Sequence, residues 1–143
     1  MRNNKKLLLS ALTILTVFSA LSMATKAADV TVQINQIEKN QGHLLVSIFA
    51  GKENYNANKA KSSLMVKVSK KSHSIIFKNI PNGSYAIKLY HDENDNKKLD
   101  MNLFGIPSEG YGFSNNVGAY GPANFKDASF NITHNKTLKI DLL

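Results

Sequence analysis

The densest group of chemically capable side chains is HDENDNKKLD, His91 to Asp100. It carries Asp92, Glu93, Asp95 and Asp100, with Asn94 and Asn96 between them. Like charges this close repel one another, so water, the neighbouring Lys97 and Lys98, or a bound cation must offset the repulsion. Counted from Asp92, side-chain oxygens fall at positions 1 (Asp92), 3 (Asn94), 5 (Asn96) and 9 (Asp100), and the carbonyl of Lys98 falls at position 7. An EF-hand loop offers oxygens to calcium in the same order over its first part, and the ion takes about six to eight of them. Two positions depart from that loop. Lys97 stands at position 6 where the loop needs Gly, and Leu103 stands at position 12 where its bidentate Glu belongs. The preceding SYAIKLY also reads as a strand, whereas an EF-hand needs a helix. Two readings stay open. One is a calcium loop inside a β-protein, completed by Glu109 or Asp95 and weakened by the two lysines. The other is a solvated strand-end turn whose Asn and Asp side chains serve local geometry.

A second unusual stretch follows at Gly105 to Pro122, GIPSEGYGFSNNVGAYGP. Tyr111, Phe113 and Tyr120 offer a stacking surface, and Asn115, Asn116 and Glu109 offer hydrogen bonds, a mixture that suits a sugar or a peptide. The bland alternative is an ordered loop whose aromatics cap one end of a sandwich while its amides bind loop backbone. For catalysis, His91, Asp92, Glu109 and Tyr111 supply a base, two acids and a phenol, so a small hydrolase using His91 and Glu109 is an alternative. The support is thin. The chain has no cysteine, and Ser114 lacks a G-x-S-x-G elbow. His43, His73, His91 and His134 show no H-x-H or H-E-x-x-H spacing for zinc.

The elements that must position these stretches have a period of two. Val30, Val32 and Ile34 alternate with polar residues, as do Leu44, Val46 and Ile48, and then Leu64, Val66 and Val68. The pattern continues through Phe77, Tyr85, Ile87, Leu89, Phe130, Ile132, Leu138, Ile140 and Leu142. Such alternation marks strands with one buried and one wet face. Turn-type clusters at Asn40-Gln41-Gly42, Lys70 to Ser72, Pro81-Asn82-Gly83 and His134-Asn135-Lys136 divide them. The expected fold is all-β, a single antiparallel β-sandwich of about seven strands. Gly51 to Ser63 lacks alternation and reads as a short helical turn or a long loop. One long ordered excursion, His91 to Asn124, interrupts the pattern. It carries Phe104, Ile106, Tyr111, Phe113, Val117 and Tyr120, with Phe125 next after it, and these are expected to pack.

The N-terminus predicts export. Arg2, Lys5 and Lys6 precede an uncharged, mostly apolar run from Leu7 to Leu21, and small residues follow in SMATKAA. That layout is a secretory signal over residues 1–27, with cleavage after Ala24 or Ala27, leaving a β-sandwich domain over residues 28–143. The apolar run is short for a membrane span, which needs roughly 20 residues. Without cysteine, lipidation at that point is excluded. The chain has 18 basic and ten acidic residues, a formal charge of +8. Losing Arg2, Lys5, Lys6 and Lys26 leaves 14 lysines against the same ten acids, a net +4 with no arginine. Nucleic acid is therefore not an expected partner.

Pro81 to Phe130 carries four motifs in series: P-x-G-x-Y-A, HDEN-x-N-x-K-L-D, G-I-P-x-E-G-Y-G-F-S-N-N and G-P-x-x-F-x-D-A-x-F. This segment resembles a bacterial domain-of-unknown-function family of small exported proteins. The resemblance implies an immunoglobulin-like or transthyretin-like sandwich and brings no activity. Asp95 and Lys97 stand where the family tends to carry Gly.

The expected protein is an exported, non-enzymatic β-sandwich, periplasmic or extracellular. Calcium would organise its loop through Asp92, Asn94, Asn96, Lys98 and Asp100, with Glu109. Tyr111, Phe113, Asn115, Asn116 and Tyr120 would face a protein, peptide or glycan of the envelope or outside the cell. A metal-free structural envelope protein is the alternative.

Overall fold

Two sheets form because alternating strands each have one face that must leave water. The computed structural model describes residues 26–143, so the expected signal lies outside the described residues except for its last two positions. In chain order the elements are β1 (Ala27–Asn35), β2 (His43–Ala50), α1 (Gly51–Asn56), β3 (Ser62–Lys67), β4 (His73–Pro81) and β5 (Gly83–Asp92). After the excursion come β6 (Tyr111–Phe113), a 3-10 turn at Ser114–Asn116, α2 (Phe125–Ala128), β7 (Phe130–Ile132) and β8 (Lys136–Asp141).

One sheet has the order β4-β1-β8 and the other β3-β2-β5-β6, with β7 pairing the start of β5. The architecture is the expected all-β sandwich. Among the described residues it has eight strands rather than about seven, because the excursion contributes the short β6 and α2 separates β7 from it. It is also not wholly antiparallel. β1 and β8 run parallel, with Val30 opposite Lys136 and Ile34 opposite Ile140. These are the first and last strands, so no tight hairpin dictates their direction. Pro81-Asn82-Gly83 is likewise no hairpin turn, because it carries the chain from one sheet to the other.

The core fills the space between the sheets. Val30, Val32 and Ile34 of β1 meet Leu44, Val46 and Ile48 of β2, Ile75 and Phe77 of β4, Tyr85, Ile87 and Leu89 of β5, and Ile140 of β8. Each is a residue that the alternation assigns to the inner face. The outer face of the five-stranded sheet is also partly covered. Phe49 and Ala86 pack there with Tyr55 of α1 and Ala128 of α2, and Phe113, Val117, Ala123 and Phe125 close over them.

The excursion packs only in part. Phe113, Val117 and Phe125 join that second cluster, and Tyr111 is half-buried. Phe104, Ile106 and Tyr120 are exposed, against expectation. The second cluster is already closed over by Phe113, Val117, Ala123 and Phe125, and these three groups lie outside it. Among the described residues no helix is long and apolar enough to cross a membrane.

Candidate functional site

The inward side of β5 reads Tyr85, Ile87, Leu89, His91, so His91 and the adjacent Asp92 are buried at the strand end. Asp92 then organises the acidic loop. Its Oδ1 accepts the N–H of Asn96 at 3.0 Å, and its Oδ2 accepts that of Lys97 at 2.8 Å. Asn94 Oδ1 accepts the Asn96 N–H at 3.1 Å and Asn96 Oδ1 accepts the Lys98 N–H at 2.8 Å, two successive Asx turns. The side-chain amides of both asparagines donate to the Asp100 carboxylate, at 2.6 and 3.0 Å. Glu109 clamps the loop from behind, accepting the N–H of Glu93 at 2.9 Å and of Asp100 at 3.0 Å. The Tyr90 hydroxyl donates to the Lys97 carbonyl at 2.9 Å.

Asp92, Asn94, Asn96 and Asp100 are therefore brought together. Lys98 gives its N–H to the turn, and Glu109 has both oxygens engaged by backbone. Asp95 pairs instead with His43, and Glu93 with Lys39. Among the described residues no group of three or more His, Asp or Glu side chains is placed to hold a metal ion. Asp95 and Lys97 have φ of +62° and +63°. These are the positions where Gly was expected, and their backbone is left-handed. The loop keeps a glycine-type shape without glycine, at a cost of about 1–2 kcal/mol per such residue, less for Asp.

The turn between β1 and β2 supports this loop. Gly42 has φ +65°, and a Cβ there would lie 1.9 Å from the Asp92 carbonyl oxygen. Beside it a cavity of about 410 Å³ is lined by His91, Glu93, Glu109, Lys39 and Lys71. His91 Nε2 lies 2.7 Å from the Gln41 carbonyl. A carbonyl only accepts, so Nε2 carries a proton, and Nδ1 lies 3.9 Å from Glu93 Oε1. His91 and Glu109 share no hydrogen bond, and the base and acid of the hydrolase alternative are not coupled.

The next segment is built differently. Asn102 nucleates a small hairpin whose arms meet at Met101 and Pro107. Its Oδ1 accepts the N–H groups of Phe104 at 2.9 Å and Ile106 at 3.1 Å. Leu103 and Phe104 at the tip are 102% and 87% exposed. Between this hairpin and Ala119–Pro122 lies a cleft of about 460 Å³ lined by Leu99, Met101, Ile106, Tyr111, Phe113 and Tyr120. Tyr111 and Phe113 meet edge to face at 6.0 Å, and the Tyr111 hydroxyl donates to the Gly118 carbonyl at 3.3 Å. A second cleft of about 320 Å³ shares Leu99, Tyr111 and Phe113 and continues over the outer face of the sheet, past Leu45, Phe49, Tyr90 and Lys88.

Tyr111, Phe113 and Tyr120 thus line one surface, and Asn115 and Asn116 do not join them. The Asn115 amide donates to the carbonyls of Asp127 and Ser129, each at 2.9 Å, and Asn116 Oδ1 accepts the Asp141 N–H at 2.9 Å. Both residues sit at positive φ and fasten the 3-10 turn to α2 and β8. Sequence reasoning missed Leu99, Met101 and the outward residues of β2 and β5. A signal was present: Leu45, Phe49 and Tyr90 occupy positions that a wet face gives to polar groups. Nearby, burial pushes the Tyr55 hydroxyl up to about 12, and its O–H donates to the Ala123 carbonyl at 2.8 Å.

Residues 32–140 match the family described as an uncharacterized protein conserved in bacteria (DUF2141). The chain belongs to this DUF2141 family. The match runs from within β1 to within β8, and so takes in both sheets, the acidic loop and the aromatic cleft. No curated protein and no solved structure matches the chain.

Proposed function

We propose that the protein is an exported, non-enzymatic binding module whose ligand surface is the aromatic cleft. In this reading the sandwich and the self-bonded acidic loop are the frame that holds the cleft open. The observation that carries it is the exposure of Met101, Leu103, Phe104, Ile106 and Tyr120 within one short segment. Met101, Ile106 and Tyr120 among them line a cleft of ligand size, and exposed apolar groups gathered at such a cleft mark an interaction site. Export rests on the basic start, apolar run and small residues of the N-terminus.

The test uses protein purified from cells expressing the full chain, titrated with the neutral fluorescent dye N-phenyl-1-naphthylamine. Saturable enhancement is expected in the unaltered protein, with loss of most of it in Ile106→Asp, whose exposed position leaves folding intact. No enhancement, or the same enhancement in both proteins, overturns the reading.

A second reading adds calcium to the loop, favoured by the gathering of Asp92, Asn94, Asn96 and Asp100 around one turn. Calcium at ten times its dissociation constant stabilises a folded protein by about 1.4 kcal/mol. The melting temperature should then rise by several degrees between EDTA and about 5 mM calcium, and Asp100→Ala should abolish the rise. Equal melting temperatures in EDTA and calcium defeat this reading.

A further inference from the structure

We infer that the two joined clefts take a single-chain amphiphile with a carboxylate head, its apolar chain over Leu99, Tyr111 and Phe113 and its head at Lys88. The inference rests on the cleft reading above and names the ligand class for it. Lys88 is, among the described residues, the one charged side chain lining either cleft. It projects from the outer face of β5 and is half-buried there. Its Nζ donates to the Tyr55 carbonyl at 3.0 Å and to Asn58 Oδ1 at 2.6 Å. It also lies 4.0 Å from the centre of the Tyr55 ring and 5.0 Å from that of Phe49.

An ammonium group has three N–H donors, so one is left for the cleft. The charge is held by dipoles and ring faces, and the ion pairs among the described residues do not include it. Burial pulls the Lys88 ammonium below the usual lysine range, as expected of a cation without an anion beside it. One positive charge at the end of an apolar trough matches one negative charge at the end of an apolar chain. A dianionic phosphate would leave charge unmatched, and a cationic head would be repelled. Ile106 and Tyr120, which line the first cleft, are exposed, so the chain end can leave toward solvent there.

The experiment is displacement of the same dye by decanoate, decan-1-ol and decyltrimethylammonium, all below their micelle concentrations, using protein from the full chain. A charge-assisted hydrogen bond is expected to make decanoate about 10-fold stronger than decanol, with the cationic amphiphile weakest. Lys88→Gln should bring decanoate to the level of decanol. Lys88→Arg keeps the cation and should keep the preference, which preserves the test if the glutamine variant folds poorly. A merely structural Lys88 would shift the melting temperature without moving the ratio of decanoate to decanol. Equal displacement by decanoate and decanol in the unaltered protein, or an unchanged ratio in Lys88→Gln, overturns the carboxylate assignment and leaves the cleft standing. No displacement by any of the three, or displacement insensitive to Ile106→Asp, overturns the cleft reading as well.

Discussion

Between Asp92 and Asp100 the side chains of Asp92, Asn94, Asn96 and Asp100 bond to loop amides or to one another, whereas from Met101 to Tyr120 several large apolar side chains are left in water. By residue type alone, the first half offers metal-ligand groups and the second offers both a stacking surface and apolar groups expected to pack. In the structure the first half spends most of its Asx oxygens on the loop itself, and the second leaves part of its apolar surface exposed. Short Asx side chains reach backbone N–H groups two to five residues away, so a run of them closes a loop and leaves few free oxygens. Apolar groups in a loop are buried only where the fold offers a hollow, and α1, α2 and residues 113–125 already fill the one beside them. A charged cluster is thus evidence of a site only after its hydrogen bonds have been counted. Exposed apolar groups need no such discount.

The comparison breaks most completely if the acidic half loses its support. Gly42→Ala requires a side chain at φ +65° and places Cβ 1.9 Å from the Asp92 carbonyl oxygen and 2.8 Å from Glu93 Cα. Both neighbours are backbone and cannot swing away. The expected loss is about 3 kcal/mol or more, a fall of about 10 °C or more in melting temperature, read by circular dichroism. A loss near zero would mean that the loop moves freely over the β1–β2 turn and is no frame.

Glu109→Ala is the next largest. It leaves the part-buried N–H groups of Glu93 and Asp100 without their carboxylate, at an expected cost of about 2 kcal/mol. Denaturant unfolding measures the cost, and amide hydrogen exchange at Glu93 and Asp100 localises it. Faster exchange confined to those two amides supports a clamp. Unchanged exchange there would show that the loop is closed by Asp92 and the asparagines alone.

Much of the sandwich was legible because the signal is local. Val30-Val32-Ile34, Leu44-Val46-Ile48 and Tyr85-Ile87-Leu89 each state their buried face within one strand. The parallel pairing of β1 with β8 was not legible, since it joins residues about a hundred positions apart and no turn encodes it. The strand β6, three residues long, carries too little alternation to read. The site divided in the same way. The aromatic trio Tyr111, Phe113 and Tyr120 was visible as composition. Lys88, Leu45 and Tyr90 were not, because a strand shows which residues share a face but not what covers that face. Asn115 and Asn116 resembled ligand groups and proved to be fasteners, since hydrogen-bond partners more than ten residues away leave no mark in sequence.

A smaller effect, of opposite sign, sharpens the acidic half. Lys97 holds φ +63°, and its backbone carbonyl, rather than its side chain, accepts the Tyr90 hydroxyl. Lys97→Gly relieves the left-handed backbone and keeps that bond, while adding freedom to the unfolded chain. The net gain expected is about 0.5–1 kcal/mol, measured by chemical denaturation. A loss instead of a gain would mean that the lysine side chain carries part of the loop, against the picture of a frame built from backbone and Asx groups.

The smallest effect tests the apolar half. Phe104 is 87% exposed at the tip of the Asn102 hairpin and makes no ring pair among the described residues. Its backbone N–H is fixed by Asn102, so the tip keeps its shape whatever side chain it bears. Phe104→Ser should therefore change stability by less than about 0.5 kcal/mol. Burying a phenylalanine is worth about 1.5–3 kcal/mol, so a loss of that size would show the ring covered in solution. Repeating the melt over a wide protein range then identifies the cover. A loss that shrinks on dilution, as the unaltered protein itself becomes less stable, means a second copy seated on the tip. A loss independent of concentration means the excursion folds over itself, and the contrast between its two halves disappears.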